Sequence, residues 1–222
     1  MTGAQWVTRV LKPVTWVACL GPAVWLLAAT WVTLHGPTGP LDWDLGVDPV
    51  KTLQHTTGLS ALVMLLVTLT VTPFRRLTGW NPIIKVRRLL GLFAFFYALS
   101  HLLIYAVFDQ ELSLTKIAAD IVKHPWVLVG FAAFLILLTL ALTSPAAAVR
   151  KLGGKRWQSL HRLIYAAGLL GVLHFLWLVK KDESEPLTYG AVFLVLMAVR
   201  LIPRRSRRAG ELKEGLGLKS RA

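Results

Sequence analysis

Cysteine is almost missing from this chain. Cys19 stands alone among 222 residues. That excludes a disulfide framework, a CxxC redox pair, a Cys-ligated iron–sulfur cluster and c-type CxxCH attachment within the chain. Acidic residues are also few, eleven against 25 lysines and arginines, and all charged residues together make up only 16%. No GxGxxG follows a strand pattern, no P-loop is present and no stretch reads as a soluble extramembrane domain. Nicotinamide chemistry has no housing here, so any reductant must come from a separate partner.

What is abundant is apolar sequence. Hydrophobic residues make up 55% and the mean hydropathy is +0.58. A soluble domain of this length needs more polar surface to cover its core. Six apolar blocks approach the ~20 residues that a spanning helix requires: Val14–Leu34, Leu53–Val71, Leu89–Phe108, Trp126–Leu142, Leu160–Val179 and Leu187–Ile202. The expected fold is an all-α, six-helix membrane bundle over residues 1–203, followed by a basic tail at 204–222. The fourth and sixth blocks are short and lean on interfacial residues such as Trp126 and Arg200. The first block is longer than a signal-peptide h-region and lacks a convincing small-residue cleavage site, so it is expected to be a retained helix.

The +14 net charge is distributed by side. If Arg9 and Lys12 stay inside and the chain crosses at each block, 20 of the 25 basic residues fall inside. Nine of the eleven acids then fall outside. This follows the positive-inside rule, so both termini are expected in the cytoplasm and no nucleic-acid partner is required. The tail is expected to be disordered or to lie on anionic lipid. Two outside segments are long: His35–Lys51, which contains Trp43, and Asp109–Pro125, expected to form a short interfacial helix around Leu114–Val122.

Six histidines punctuate the blocks: His35, His55, His101, His124, His161 and His174. His35 and His124 fall at outer helix ends, where polar residues are ordinary. His101 and His174 lie deep inside apolar blocks, where polar groups are costly and usually face the bundle interior. Taken singly, each fits equally a histidine hydrogen-bonded to a neighbouring helix. Depth shifts the balance. His101 lies 14 residues after Arg87, and His174 lies 14 residues after Leu160. On parallel helices both sit about 20 Å beyond their cytoplasmic starts. Two facing imidazoles suit the axial positions of a haem iron. Zinc wants four ligands, and no Cys, Asp or Glu lies at that depth.

His161 marks a second level near the cytoplasmic face, about 19.5 Å before His174 along the axis. On an ideal helix the two rings point roughly 140° apart, unless a bend or a loosened first turn closes part of that angle. Arg87 lies within about 40° of the face of His101. It suits a haem propionate or an iron left with one histidine, and equally a positive-inside anchor beside Arg75, Arg76 and Arg88. His55, in QHTTG, is open to ligation, to a propionate contact or to capping its helix. Ala94, Ala98 and Gly171 offer cofactor space. Tyr97, Tyr105, Phe175 and Trp177 are candidates to wall a pocket, although aromatic belts use such residues too.

The stretches RRLLGLFAFFYALSHLLIYAVFD and KLGGKRWQSLHRLIYAAGLLGVLHFLWLVK, with DPVKTLQHTTGLSALVMLLVTLTVTP upstream, resemble the MsrQ family, formerly named YedZ. That family belongs to the ferric-reductase-like transmembrane group, and the likeness covers about residues 45 to 203. The resemblance implies six helices, b-type haem (one or two) held by His101, His161 and His174, and an arginine pair at Arg87 and Arg88. It implies electrons arriving from a cytoplasmic flavin reductase, with FMN as a further cofactor. They leave to a periplasmic molybdopterin partner, MsrP, in a heterodimer that repairs methionine sulfoxide in oxidised proteins. No FMN motif is visible, so no residue is assigned to flavin. The expectation is an electron-transfer subunit in a bacterial inner membrane, with substrate catalysis on the partner. Two other readings stay open: a b561-like cytochrome using quinol or ascorbate, and a proton-coupled transporter with a histidine relay.

Overall fold

The computed structural model describes residues 3–36, 44–179 and 183–201. The loop containing Trp43, the residues at 180–182 and the basic tail lie outside the described residues. Among the described residues, six helices are long and apolar enough to cross a membrane. They are α1 (Val7–His35), α2 (Pro49–Thr78), α3 (Asn81–Asp109), α5 (Pro125–Leu142), α7 (Gly154–Leu178) and α8 (Ser184–Leu201). Two shorter helices join them: α4 (Leu114–Lys123), where the interfacial helix is expected, and α6 (Ala146–Leu152). Among the described residues there is no strand.

The helix ends follow local chemistry. Asp48 caps α2 by accepting the Lys51 N–H at 3.1 Å, with Pro49 at the first helical position. The same helix runs through Pro73 and past the expected end at Val71. It stops at Gly79, whose φ of 70° is the left-handed conformation that glycine adopts without a Cβ penalty. Ser113 caps α4. α3 opens with a 3₁₀ turn at Asn81–Ile83 and closes with a π-turn at Tyr105–Asp109.

α2 and α3 pack along their length, as do α5 and α7. Their shared core includes Leu62, Leu65, Leu66 and Leu69 of α2, Ala94 of α3, Leu137 and Leu140 of α5, and Ala167 of α7. Phe193 and Leu196 bring α8 onto this core. A Cβ at Gly168 would lie 2.8 Å from the Phe193 ring, so the glycine lets α7 and α8 approach closely. α1 lies to one side, against Phe93 and Tyr97 of α3. Large side chains elsewhere on α1, such as Val17 and Leu27, face outward, as lipid solvent allows.

Two helix prolines are answered by side chains. In α1, next to Pro22, the Tyr97 hydroxyl donates to the Cys19 carbonyl at 2.6 Å and accepts the Ala23 N–H at 3.1 Å. In α2, Pro73 has no N–H to offer the Leu69 carbonyl four residues back. The Arg200 guanidinium of α8 donates to that carbonyl and to the Tyr165 hydroxyl. Both devices satisfy backbone groups that water cannot reach in a bilayer.

Candidate functional site

His101 on α3 and His174 on α7 meet between the four core helices, with ring centroids 6.2 Å apart and planes at 78°. Each ring is anchored by the same local device. His101 Nδ1 lies 3.0 Å from the Gln54 carbonyl, and Gln54 precedes Gly58 by one helical turn. His174 Nδ1 lies 2.7 Å from the Trp126 carbonyl, and Trp126 precedes Gly130 by one turn. A carbonyl only accepts, so both Nδ1 atoms carry the proton and both Nε2 atoms keep a lone pair. The glycines make this possible. A Cβ at Gly58 would lie 3.1 Å from the His101 ring, and one at Gly130 only 2.7 Å from His174 Nδ1.

The geometry suits a shared metal atom. A metal about 2 Å from each imidazole nitrogen puts the ring centroids about 6 Å apart. Backbone acceptors behind ligating histidines are the usual means of fixing tautomer and ring direction. Among the described residues, no group of three or more His, Cys, Asp or Glu side chains converges. Any metal here therefore brings most of its ligands with it.

His161 lies at the other level, in a 3₁₀ turn at His161–Leu163 that interrupts α7. Three residues at 3₁₀ pitch add roughly 60° of rotation, which brings the His161–His174 offset from about 140° to about 80°. The ring stacks on Trp157 with centroids 4.0 Å apart. Its Nε2 lies 3.2 Å from Thr143 Oγ1, and that hydroxyl also donates to the Thr139 carbonyl at 2.7 Å. With its proton spent there, Thr143 accepts from His161, so Nε2 carries the hydrogen and the tautomer is opposite to that of the deeper pair.

His161 lines a cavity of about 510 Å³ together with Arg87, Arg88, Arg162, Trp157 and Tyr165. That volume is within the roughly 300–1,000 Å³ of small-molecule and cofactor sites. Among the described residues that line it, four are basic or histidine and none is acidic, so it favours an anionic group. Since Arg87 and His161 share one end and His101 and His174 the other, α3 and α7 run in the same direction.

The remaining candidates are placed elsewhere. His55 is half exposed and its Nε2 lies 3.4 Å from Glu185 of α8, with its ring against Phe175. His35 stacks on Trp31. His124 Nδ1 lies 2.7 Å from Asp120. Tyr97 turns to α1, Tyr105 donates to Asp120 at 2.5 Å, and Trp177 is exposed. Gly171 leaves no special space, because a Cβ there would make an ordinary 3.6 Å contact with Leu62. The glycines that matter are Gly58 and Gly130, together with the main-chain oxygens of Gln54 and Trp126. Their one trace in the sequence is a glycine facing each histidine helix at matching depth.

The architecture is that of a membrane bundle with paired intramembrane histidines, and the comparisons agree on its class. A family model described as ferric reductase like transmembrane component matches residues 57–172. Curated relatives resolve the family further. The protein-methionine-sulfoxide reductase heme-binding subunit MsrQ of Rhodospirillum rubrum is 45% identical over 203 residues, covering 91% of this chain and 93% of its own length. The MsrQ of Brucella anthropi is 42% identical over 199 residues, with 90% and 88% covered. That of Xanthomonas axonopodis pv. citri is 49% identical over 164 residues, with 74% and 75% covered. The chain belongs to the MsrQ family of ferric-reductase-like transmembrane proteins.

Proposed function

We propose that the protein is a haem b electron-transfer subunit of a methionine-sulfoxide reductase system in a bacterial inner membrane. The observation that carries this reading is the His101–His174 pair, with both Nδ1 atoms tied to backbone carbonyls and both Nε2 atoms left to ligate. The two histidines, with no group of three or more His, Cys, Asp or Glu side chains converging among the described residues, would hold a porphyrin iron whose remaining ligands the porphyrin itself would supply. Haem bound there supplies one-electron redox chemistry. The chain holds the ring directions fixed, excludes water and sets the potential through ligand identity and burial.

His161 is the proposed ligand at the cytoplasmic level, with Arg87 and its neighbours Arg88 and Arg162 receiving anionic groups. Ligation through Nε2 requires His161 to release Thr143, so this site is less preorganised than the outer one. His55 has an acidic partner and is left with a minor role at the outer rim. The basic loops support a topology with both termini cytoplasmic. On this reading electrons enter from a cytoplasmic flavin reductase, pass outward through the two levels and leave to a periplasmic MsrP-like molybdopterin subunit. FMN belongs to this scheme through family likeness alone.

The test is detergent-purified protein from haem-replete cells. The reading expects a Soret band and a low-spin signal lost in both His101→Ala and His174→Ala. Absence of haem absorbance rejects it in favour of a histidine relay in a transporter. Reduction by quinol, with none by a purified flavin reductase, favours a b561-like cytochrome.

A further inference from the structure

Asp120 cross-links three segments at the outer end of the bundle. Its Oδ2 accepts the Tyr105 hydroxyl at 2.5 Å, and Gln110 Nε2 approaches the same oxygen at 3.5 Å. Its Oδ1 lies 2.7 Å from His124 Nδ1. Tyr105 follows His101 by one turn on α3. His124 is the N-cap residue of α5, and its carbonyl accepts the Val127 and Leu128 N–H groups of the first turn. Trp126 lies in that turn, with its ring 4.7 Å from the His124 ring, and its carbonyl orients His174. One carboxylate thus joins the helix of the first histidine to the turn that aims the second.

The connecting chain is bent to bring this about. α3 ends in the π-turn from Tyr105, and Glu111 and Leu112 then take φ of 50° and 58°. Non-glycine residues in the left-handed region are strained and persist where surrounding contacts hold them. The Tyr105 hydrogen bond, more than His124, holds the Asp120 carboxyl below the usual carboxylate range, against the opposing effect of burial. The group is therefore ionised at neutral pH and accepts from both sides.

We propose that Asp120 is a positioning residue for the His101–His174 pair, acting through His124 and the first turn of α5. The inference rests on the reading of that pair as haem ligands. It assigns Asp120 no contact with the iron or the substrate. Its effect is to keep the Trp126 carbonyl in line with His174 Nδ1, which fixes the angle between the two imidazole planes.

The experiment uses the full-length, haem-loaded protein and compares Asp120→Ala, Asp120→Asn, Tyr105→Phe and Glu111→Gln. Glu111 contributes backbone to the bend, but its side chain pairs with Lys116 of α4 and takes no part in the link, and glutamine leaves the backbone unchanged. Asp120→Ala and Tyr105→Phe are expected to move the g-values of the low-spin signal. They should also shift the outer haem's reduction equilibrium at least threefold, where tenfold corresponds to about 59 mV for one electron. Asparagine keeps an acceptor for Tyr105, and its amide N–H donates to His124 Nδ1 once that ring carries its proton on Nε2, so Asp120→Asn should restore the wild-type g-values. Glu111→Gln should change nothing. If Asp120→Ala fails to assemble, Tyr105→Phe carries the test alone. Wild-type g-values and potential in Tyr105→Phe, or in a folded Asp120→Ala, overturn the inference while leaving the pair intact. A wild-type protein without a low-spin signal overturns both.

Discussion

A methyl group added at Gly130 meets the His174 ring at 2.7 Å from Nδ1 and 2.8 Å from Cε1, well inside van der Waals contact. The ring cannot step aside freely, because its Nδ1 is held 2.7 Å from the Trp126 carbonyl. Gly130→Ala must therefore break that bond, tilt the imidazole or push α5 from α7. Overpacking of this kind costs about 1–3 kcal/mol, and the lost hydrogen bond costs about 0.5–1.5 kcal/mol more. Alanine returns at most ~1 kcal/mol through helix propensity. Loss of orientation behind a metal-ligating histidine typically lowers metal affinity ~10–100-fold. The same change at Gly58 brings its methyl to 3.1 Å from His101, which a shift of a few tenths of an ångström relieves. Haem-to-protein ratio should therefore fall strongly in Gly130→Ala and weakly in Gly58→Ala. Equal, wild-type haem content in both variants, with an unchanged low-spin signal, would refute the glycine–carbonyl device.

Three further outcomes follow from named contacts. Arg200→Ala leaves the Leu69 carbonyl beside Pro73 without its donor and should lower the melting temperature in detergent. Adding Pro73→Ala restores an N–H there, so the double variant should recover part of the loss in a double-mutant cycle. Tyr97→Phe removes the bridge between Cys19 and Ala23, and should destabilise the α1–α3 contact by about 1 kcal/mol, read as faster proteolysis of α1. Asp120 has a folded-state pKa below its unfolded value, chiefly through the Tyr105 hydrogen bond. Its contribution is present above the unfolded value of about 3.9 and is lost as pH falls through the folded value. Asp120→Asn should therefore flatten the acid limb of the stability curve below about pH 4.

Much of the fold is readable from residue order. Hydropathy locates all six spans, and counting residues places His101 and His174 at one depth because rise per residue is nearly constant. The ends are harder. Pro73 and the arginines after it suggest a stop at Val71, yet α2 continues because Arg200, 127 residues beyond Pro73, supplies the missing donor. The immediate supports of the histidines are main-chain oxygens, which no residue type announces, and the glycines beside them resemble any small packing residue. The rotation of His161 is legible in the sequence only as an open angle. Its answer is a 3₁₀ turn in which His161 stacks on Trp157 one turn back and meets Thr143 of the preceding segment, and the Thr143 contact joins residues 18 apart. Asp120 reads as an ordinary outer-loop acid until the fold brings Tyr105 and His124 to its two oxygens.

The central claim is most directly tested by electron paramagnetic resonance with haem quantification on the wild type, His101→Ala and His174→Ala. The near-perpendicular rings predict a strongly anisotropic low-spin signal in the wild type, absent from both variants. Full retention of that signal in either variant contradicts the pairing of His101 with His174.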